Sequence, residues 1–97
     1  MSFDIVLTAE AVEDGKALKA HLRAQVRDAI ETHLRHEPRK TSRSRIKRLR
    51  ELRRPQYRLR VGDTRVFYDV LGKTVEVLGI VAKSEADAWL ARFGSPE

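Results

Sequence analysis

The sequence predicts an α+β fold: a small antiparallel sheet of about four strands, in the order β-α-α-β-β-β-α, with two N-terminal helices packed on one face and a short C-terminal helix. Three observations lead there. Leu18, Leu22, Val26, Ile30 and Leu34 recur every four residues, the spacing of one helical face. Residues 57–61, 64–71 and 74–82 are apolar-rich runs separated by Gly62-Asp63 and Gly72-Lys73, two-residue connections with glycine first, as tight hairpins require. Pro38 and Pro55 bracket a polar, basic stretch that follows neither pattern.

Taken in order, residues 3–7 have strand composition and read as a first or edge strand. Thr8 is placed to cap a helix, with Glu10 and Glu13 where the positive end of the helix dipole favours acids. Ala11, Val12, Gly15 and Leu18 give that helix a narrow apolar stripe. The break before the second helix falls either at Gly15 or near Lys19 and Ala20. Pro38 stops the second helix near Glu37. In the basic stretch Ile46, Leu49 and Leu52 are the aliphatic anchors, compatible with a turn or two of helix or with an edge strand. Ser84 opens the closing helix, with Glu85 and Asp87 in its first turn and Ala88, Trp89 and Phe93 as apolar contacts. At 97 residues and 41% hydrophobic content, a single domain over residues 1–97 with one modest core is expected.

The chain has no cysteine, which excludes disulfides and thiolate metal sites. Its N-terminus shows neither a basic leader nor a long apolar run, so the expectation is a cytoplasmic protein without signal or membrane span. Net charge is +6, unevenly spread. Residues 39–60 hold eleven Lys or Arg against one acid, Glu51, while the rest of the chain sums to −4. A field concentrated in this way attracts a polyanion: nucleic acid, an anionic membrane or an acidic partner.

Register arithmetic sharpens the picture. With Gly62-Asp63 as the turn, Arg60 faces Arg65, Arg58 faces Phe67 and Tyr57 faces Tyr68. Tyr57, Leu59, Val61, Val66, Tyr68 and Val70 then share the core face. Arg58, Arg60 and Arg65 share the other, on which Phe67, Leu78 and Ile80 are also expected. Two arginines directly opposite one another are destabilising; a phosphate between them relieves this, and guanidinium forks suit it. The alternative is a solvated outer face of a half-exposed sheet. Asp69 and Glu76 are expected as cross-strand neighbours, sharing a proton or metal or simply facing solvent near Lys73. His21, His33 and His36 lack a third ligand, so no metal site is expected. No glycine-rich phosphate loop, nucleophile elbow or metalloprotease helix occurs.

The run at residues 55–69, Pro-Gln-Tyr-Arg-Leu-Arg-Val-Gly-Asp-Thr-Arg-Val-Phe-Tyr-Asp, resembles the signature hairpin of the RelE/ParE toxin superfamily of type II toxin–antitoxin systems. Residues 45–50, Arg-Ile-Lys-Arg-Leu-Arg, and the strand at 75–83 are similar too, so the likeness covers nearly the whole chain. It implies a ribosome-dependent messenger RNA endonuclease that inhibits translation through metal-free attack of a 2′-hydroxyl, with no cofactor. By position, Arg58, Arg60, Arg65 and Lys83 match the catalytic residues, Trp89 the base-stacking tyrosine, and Arg43, Arg45, Lys47, Arg48 and Arg50 the RNA- and ribosome-binding segment. The implied partners are the ribosome, messenger RNA and a small acidic antitoxin covering the basic groove with Phe67, Leu78 and Ile80. Two departures matter. Arg58 and Arg60 stand where lysine is often found, and guanidinium is a poor general base; Trp89 lacks a hydroxyl. A ParE-like gyrase inhibitor without nuclease activity and a non-toxic basic nucleic-acid-binding module are the alternatives.

Overall fold

Two glycine-led turns organise the sheet. Gly62 and Gly72 have φ of 58° and 59°, a conformation that L side chains rarely adopt, and each closes a two-residue hairpin. The computed structural model describes residues 2–96. Strands β1 (Asp4–Leu7), β2 (Ile46–Arg48), β4 (Tyr57–Val61), β5 (Thr64–Leu71) and β6 (Thr74–Ala82) form one sheet in the order β1-β6-β5-β4-β2, with β3 (Leu52–Arg54) and β7 (Ser95–Pro96) paired separately. The first strand runs parallel to β6, and the other pairings are antiparallel.

Among the described residues seven strands replace the four or so expected, because β2 and β3, the latter paired with β7, form in the basic stretch. Of the two conformations open to it, the edge strand is the one formed. Ile46 sits opposite Leu59 and is buried, which draws β2 onto the sheet. Tyr68, fully buried and stacked on Tyr57, donates its hydroxyl to the Pro38 carbonyl at 2.7 Å and so ties the start of the basic stretch to the sheet centre. Burial, with Tyr57 beside it, pushes the Tyr68 phenol well above its usual pKa.

Helices α1 (Ala9–Ala17) and α2 (Ala20–Leu34) cover one face. The Thr8 hydroxyl accepts the Ala11 amide, as its capping position predicts. The break falls at Leu18 and Lys19, both extended. Arg23 reaches back to donate to the carbonyls of Gly15, Lys16 and Leu18, closing the end of α1. The second helix stops at Leu34, earlier than Pro38 demands. The Arg35 carbonyl accepts from Phe3 while its guanidinium holds Glu31 and the Phe3 carbonyl, so this turn serves the first strand instead. Val26, Ile30 and Leu34 of α2 join Leu59, Val66, Tyr68, Val70, Val75 and Val77 in the core, the face the alternation predicts. Each such buried side chain contributes about 1.5–3 kcal/mol relative to exposure.

A single 3-10 turn (Lys83–Glu85) leads into α3 (Ala86–Phe93), which crosses the opposite face of the sheet. Its Trp89 ring stacks on Phe67 at 4.8 Å and lies directly over Gly79, where a Cβ would meet the indole at 2.5 Å. Gly79→Ala is therefore expected to push Trp89 off the sheet and destabilise the protein by about 1–3 kcal/mol, the range for overpacking. Urea denaturation and a red shift in the fluorescence of the one tryptophan measure it.

Candidate functional site

On the face opposite α1 and α2 the hairpin register is the one the turn dictates: Arg60 lies opposite Arg65 and Arg58 opposite Phe67. The three guanidinium groups are thus gathered on two adjacent strands. They are not equivalent. Arg60 is exposed and Arg58 half-buried, while Arg65 is buried and donates from Nη1 to the turn carbonyls of Gly62 and Thr64 at 2.9 and 3.1 Å. None of the three makes an ion pair among the described residues. The Nε of Arg58 is buried without a hydrogen-bond partner. Burial, then the positive charges of Arg65 and Arg60, hold the Arg58 pKa below the usual guanidinium range. A buried donor left unsatisfied, beside two like charges, describes a site with the electrostatics of an anion receptor and no anion of its own.

The remaining basic residues divide. Lys47 pairs in register with Arg58 and extends the cationic face onto β2. Arg48, opposite Tyr57, is turned to the other face, where it lies 5.2 Å from the Tyr57 ring centroid and donates to the Leu49 and Gln56 carbonyls. Arg43 and Arg45 are exposed on the bend before β2, and Arg50 is exposed on the turn after it. Lys83 is exposed at the far end of β6, its amide bonded to the Asp63 carbonyl of the hairpin turn. Trp89, an apolar contact of the closing helix and the residue at the base-stacking position, is flanked by Phe67 at 4.8 Å and Phe93 at 5.3 Å.

Three expectations need correction. Ile80 faces the core, not the arginines. The β5–β6 ladder slips between Phe67 and Tyr68, so that Phe67 faces Gly79, Tyr68 faces Val77 and Leu78 is the extra residue; beyond this bulge Ile80 lies opposite Val66. Phe67 and Leu78 do lie on the outer face, but both are buried, with Leu78 showing in the wall of the groove beside Trp89. Asp69 and Glu76 are cross-strand neighbours as expected, yet Asp69 is buried rather than solvent-facing. Arg54 clamps both, with Nε 3.1 Å from Asp69 and Nη2 2.8 Å from Glu76, and the Gln56 amide donates to Asp69 at 2.8 Å. Burial still raises the Asp69 pKa, against the lowering effects of Gln56 and Arg54. Nothing in the sequence distinguishes Arg54 from its basic neighbours; only the fold does.

A groove of about 600 Å³ on the β1 side of Trp89 is lined by Glu10, Glu13 and Asp14 and by one base, Arg54, which Asp69 and Glu76 neutralise, so its balance is the wrong sign for a polyanion. Among the described residues no group of three or more His, Cys, Asp or Glu is placed to hold a metal ion, and no helix is long and apolar enough to cross a membrane.

A family model described as the ParE toxin of the type II toxin–antitoxin system parDE matches residues 5–86. The chain belongs to the ParE/RelE toxin family. In fold the toxin is similar to the toxin–antitoxin complex RelBE2 of Mycobacterium tuberculosis, at 23% identity and a TM-score of 0.73, over 84% of this chain and 99% of that one. The RelB–RelE complex of Methanococcus jannaschii matches at 20% identity and 0.66, over 87% and 96%. A mutant of the Escherichia coli toxin RelE in the free state matches at 16% and 0.63, over 96% and 99%. No curated protein sequence matches the chain.

The arginine face of the toxin carries a direct test. Arg60, exposed and unpaired among the described residues, is the member of the trio that can be removed with least effect on the fold. Arg60→Ala should weaken binding to a single-stranded RNA oligonucleotide and make the slope of log K against log salt less negative by about 0.7, one phosphate contact. Fluorescence anisotropy across a salt series reads both, with thermal melting as the control for folding.

Proposed function

We propose that the toxin is a ribosome-dependent endonuclease of messenger RNA, which inhibits translation by holding the scissile phosphate against Arg58, Arg60 and Arg65. The observation that carries this reading is the unpartnered, buried Nε of Arg58 amid two further guanidinium groups. A phosphodiester satisfies that donor and offsets the mutual repulsion. As a 2′-hydroxyl attacks, charge accumulates on the phosphorane oxygens, and three fixed cations stabilise it more than the ground state. Lys83, beside the hairpin turn, supplies the proton for the leaving oxygen. Base stacking is not assigned to Trp89, whose ring is engaged by Phe67 and Phe93. Arg43, Arg45, Lys47 and Arg50 extend the cationic surface towards the ribosome, which makes the toxin a cytoplasmic protein on this reading.

Two features favour a second reading, a gyrase-directed toxin that cleaves nothing: guanidinium does not deprotonate near neutral pH, and the matching family model is described as ParE. Induction of the toxin followed by primer-extension mapping of messenger RNA ends, with and without ribosomes, separates the two. Cleavage predicts new ends only with ribosomes, and none with Arg60→Glu. Intact messenger RNA with DNA double-strand breaks would support the gyrase reading, and unimpaired growth would leave only a basic binding module.

A toxin also requires restraint, and a small acidic antitoxin is proposed as its partner; the RelBE2 and RelB–RelE structures it resembles in fold are toxin–antitoxin complexes. Since Phe67, Leu78 and Ile80 are buried, an exposed apolar surface is the better candidate to receive it. Val6 and Leu7 of β1 and Val12 of α1 are exposed along an outer strand paired on one side only. An adjoining groove of about 370 Å³, floored by Leu18, Val26 and Ile30, has Lys16, Arg23, Arg27 and Arg35 at its rim against one acid, Glu31, which Arg35 already holds. Apolar floor and cationic rim suit an acidic amphipathic segment. Leu7→Asp with Val12→Asp should leave the isolated toxin folded and abolish co-purification with the antitoxin, whereas retained co-purification would place the interface elsewhere.

A further inference from the structure

We propose that Lys47 is the proton acceptor of the cleavage reaction. This rests on the nuclease reading. The arginine trio can bind a phosphate and stabilise its charge, but guanidinium keeps its proton at the pH of the cell, so the trio by itself contains no base. An amine can act as one in its neutral form. The β2–β4 ladder places Lys47 directly opposite Arg58, so the two side chains leave the same face of the sheet, about 4.5–5.5 Å apart at Cβ. Lys47 is exposed and makes no ion pair among the described residues, in contrast to Lys40, which is paired with Glu37. Lys73 lies in the turn at the opposite end of the β5–β6 hairpin from Lys83. Lys47 and Lys83 are thus the two amines that flank the arginines. They stand on β2 and at the end of β6, three strand spacings or about 14 Å apart across the sheet and about 13 Å apart along the strands, with the arginines in the diagonal between them. In-line displacement at phosphorus needs an acceptor and a donor on opposite sides, with charge stabilisation between them.

The step balances. The neutral Lys47 amine takes the proton of the 2′-hydroxyl as its oxygen forms a bond to phosphorus. The bond from phosphorus to the 5′-oxygen breaks, and that oxygen takes a proton from the Lys83 ammonium. The products are a 2′,3′-cyclic phosphate and a 5′-hydroxyl, with no oxidation or reduction. Arg58, Arg60 and Arg65 hold the phosphorane throughout.

Single-turnover cleavage of messenger RNA on programmed ribosomes tests this. Lys47→Arg keeps the charge and should bind ribosomes as the wild type does, while cleaving at least about 100-fold more slowly, the low end for loss of a general base. The chain has no cysteine, so Lys47→Cys carries a unique thiol. That variant should be as slow, and alkylation with 2-bromoethylamine, which restores an amine at the same reach, should recover cleavage. Wild-type cleavage by Lys47→Arg, a loss matched by weaker ribosome binding, or no recovery on aminoethylation would each overturn the assignment while leaving the nuclease reading intact. A wild-type protein that cleaves nothing would overturn both.

Discussion

One pairing, Arg60 opposite Arg65 across a two-residue turn, sets the electrostatic problem that the rest of the molecule manages. Like charges in direct cross-strand contact oppose the ladder that carries them. The ladder nevertheless forms, because the other face of the same two strands buries Leu59, Val66 and Tyr68 completely. Hydrophobic burial on one face outweighs repulsion on the other, where Arg60 remains exposed to the screening of solvent. Arg65 relieves part of its own burial by donating to the Gly62 and Thr64 carbonyls. Arg58 has no such recourse at Nε, and the unresolved strain is concentrated there.

The outer face is divided by α3. Trp89, seated on Gly79 and Phe67, takes the middle strands for packing and leaves two regions of opposite character. Towards β4 and β2 lie Lys47, Arg58, Arg60 and Arg65; towards β1 lie Glu10, Glu13 and Asp14 around a groove. The net charge of the chain conceals this partition. So does its composition, because the acids that matter come from the first helix and the bases from the middle of the chain.

Much of this was legible before the fold was known, and the reasons for success and failure are physical. Glycine at the first turn position leaves few geometries, so the β4–β5 register and the shared face of the three arginines followed from counting alone. The bulge at Leu78 did not. It adds one residue to β6, marked in the sequence only by the adjacent Gly79, and it reverses the facing of everything beyond, Ile80 included. The second helix was expected to run to Pro38, but the Arg35 carbonyl is drawn away by Phe3, some thirty residues earlier in the chain. Arg54 was hidden among eleven similar charges, and only the meeting of Asp69 with Glu76 singles it out. Local chemistry was readable; contacts between distant segments were not.

The hydroxyl of Tyr68 has a consequence beyond the core it completes. By holding the Pro38 carbonyl, with β2 fastened to β4 a few residues later, it pins both approaches to the most cationic part of the chain. A segment so rich in arginine would, left free, sample many shapes and surrender that freedom on meeting a guest. Here the surrender belongs to folding itself. A polyanion arriving at this surface finds its counter-charges already standing in rank, and its affinity is spared the entropic toll of assembling them.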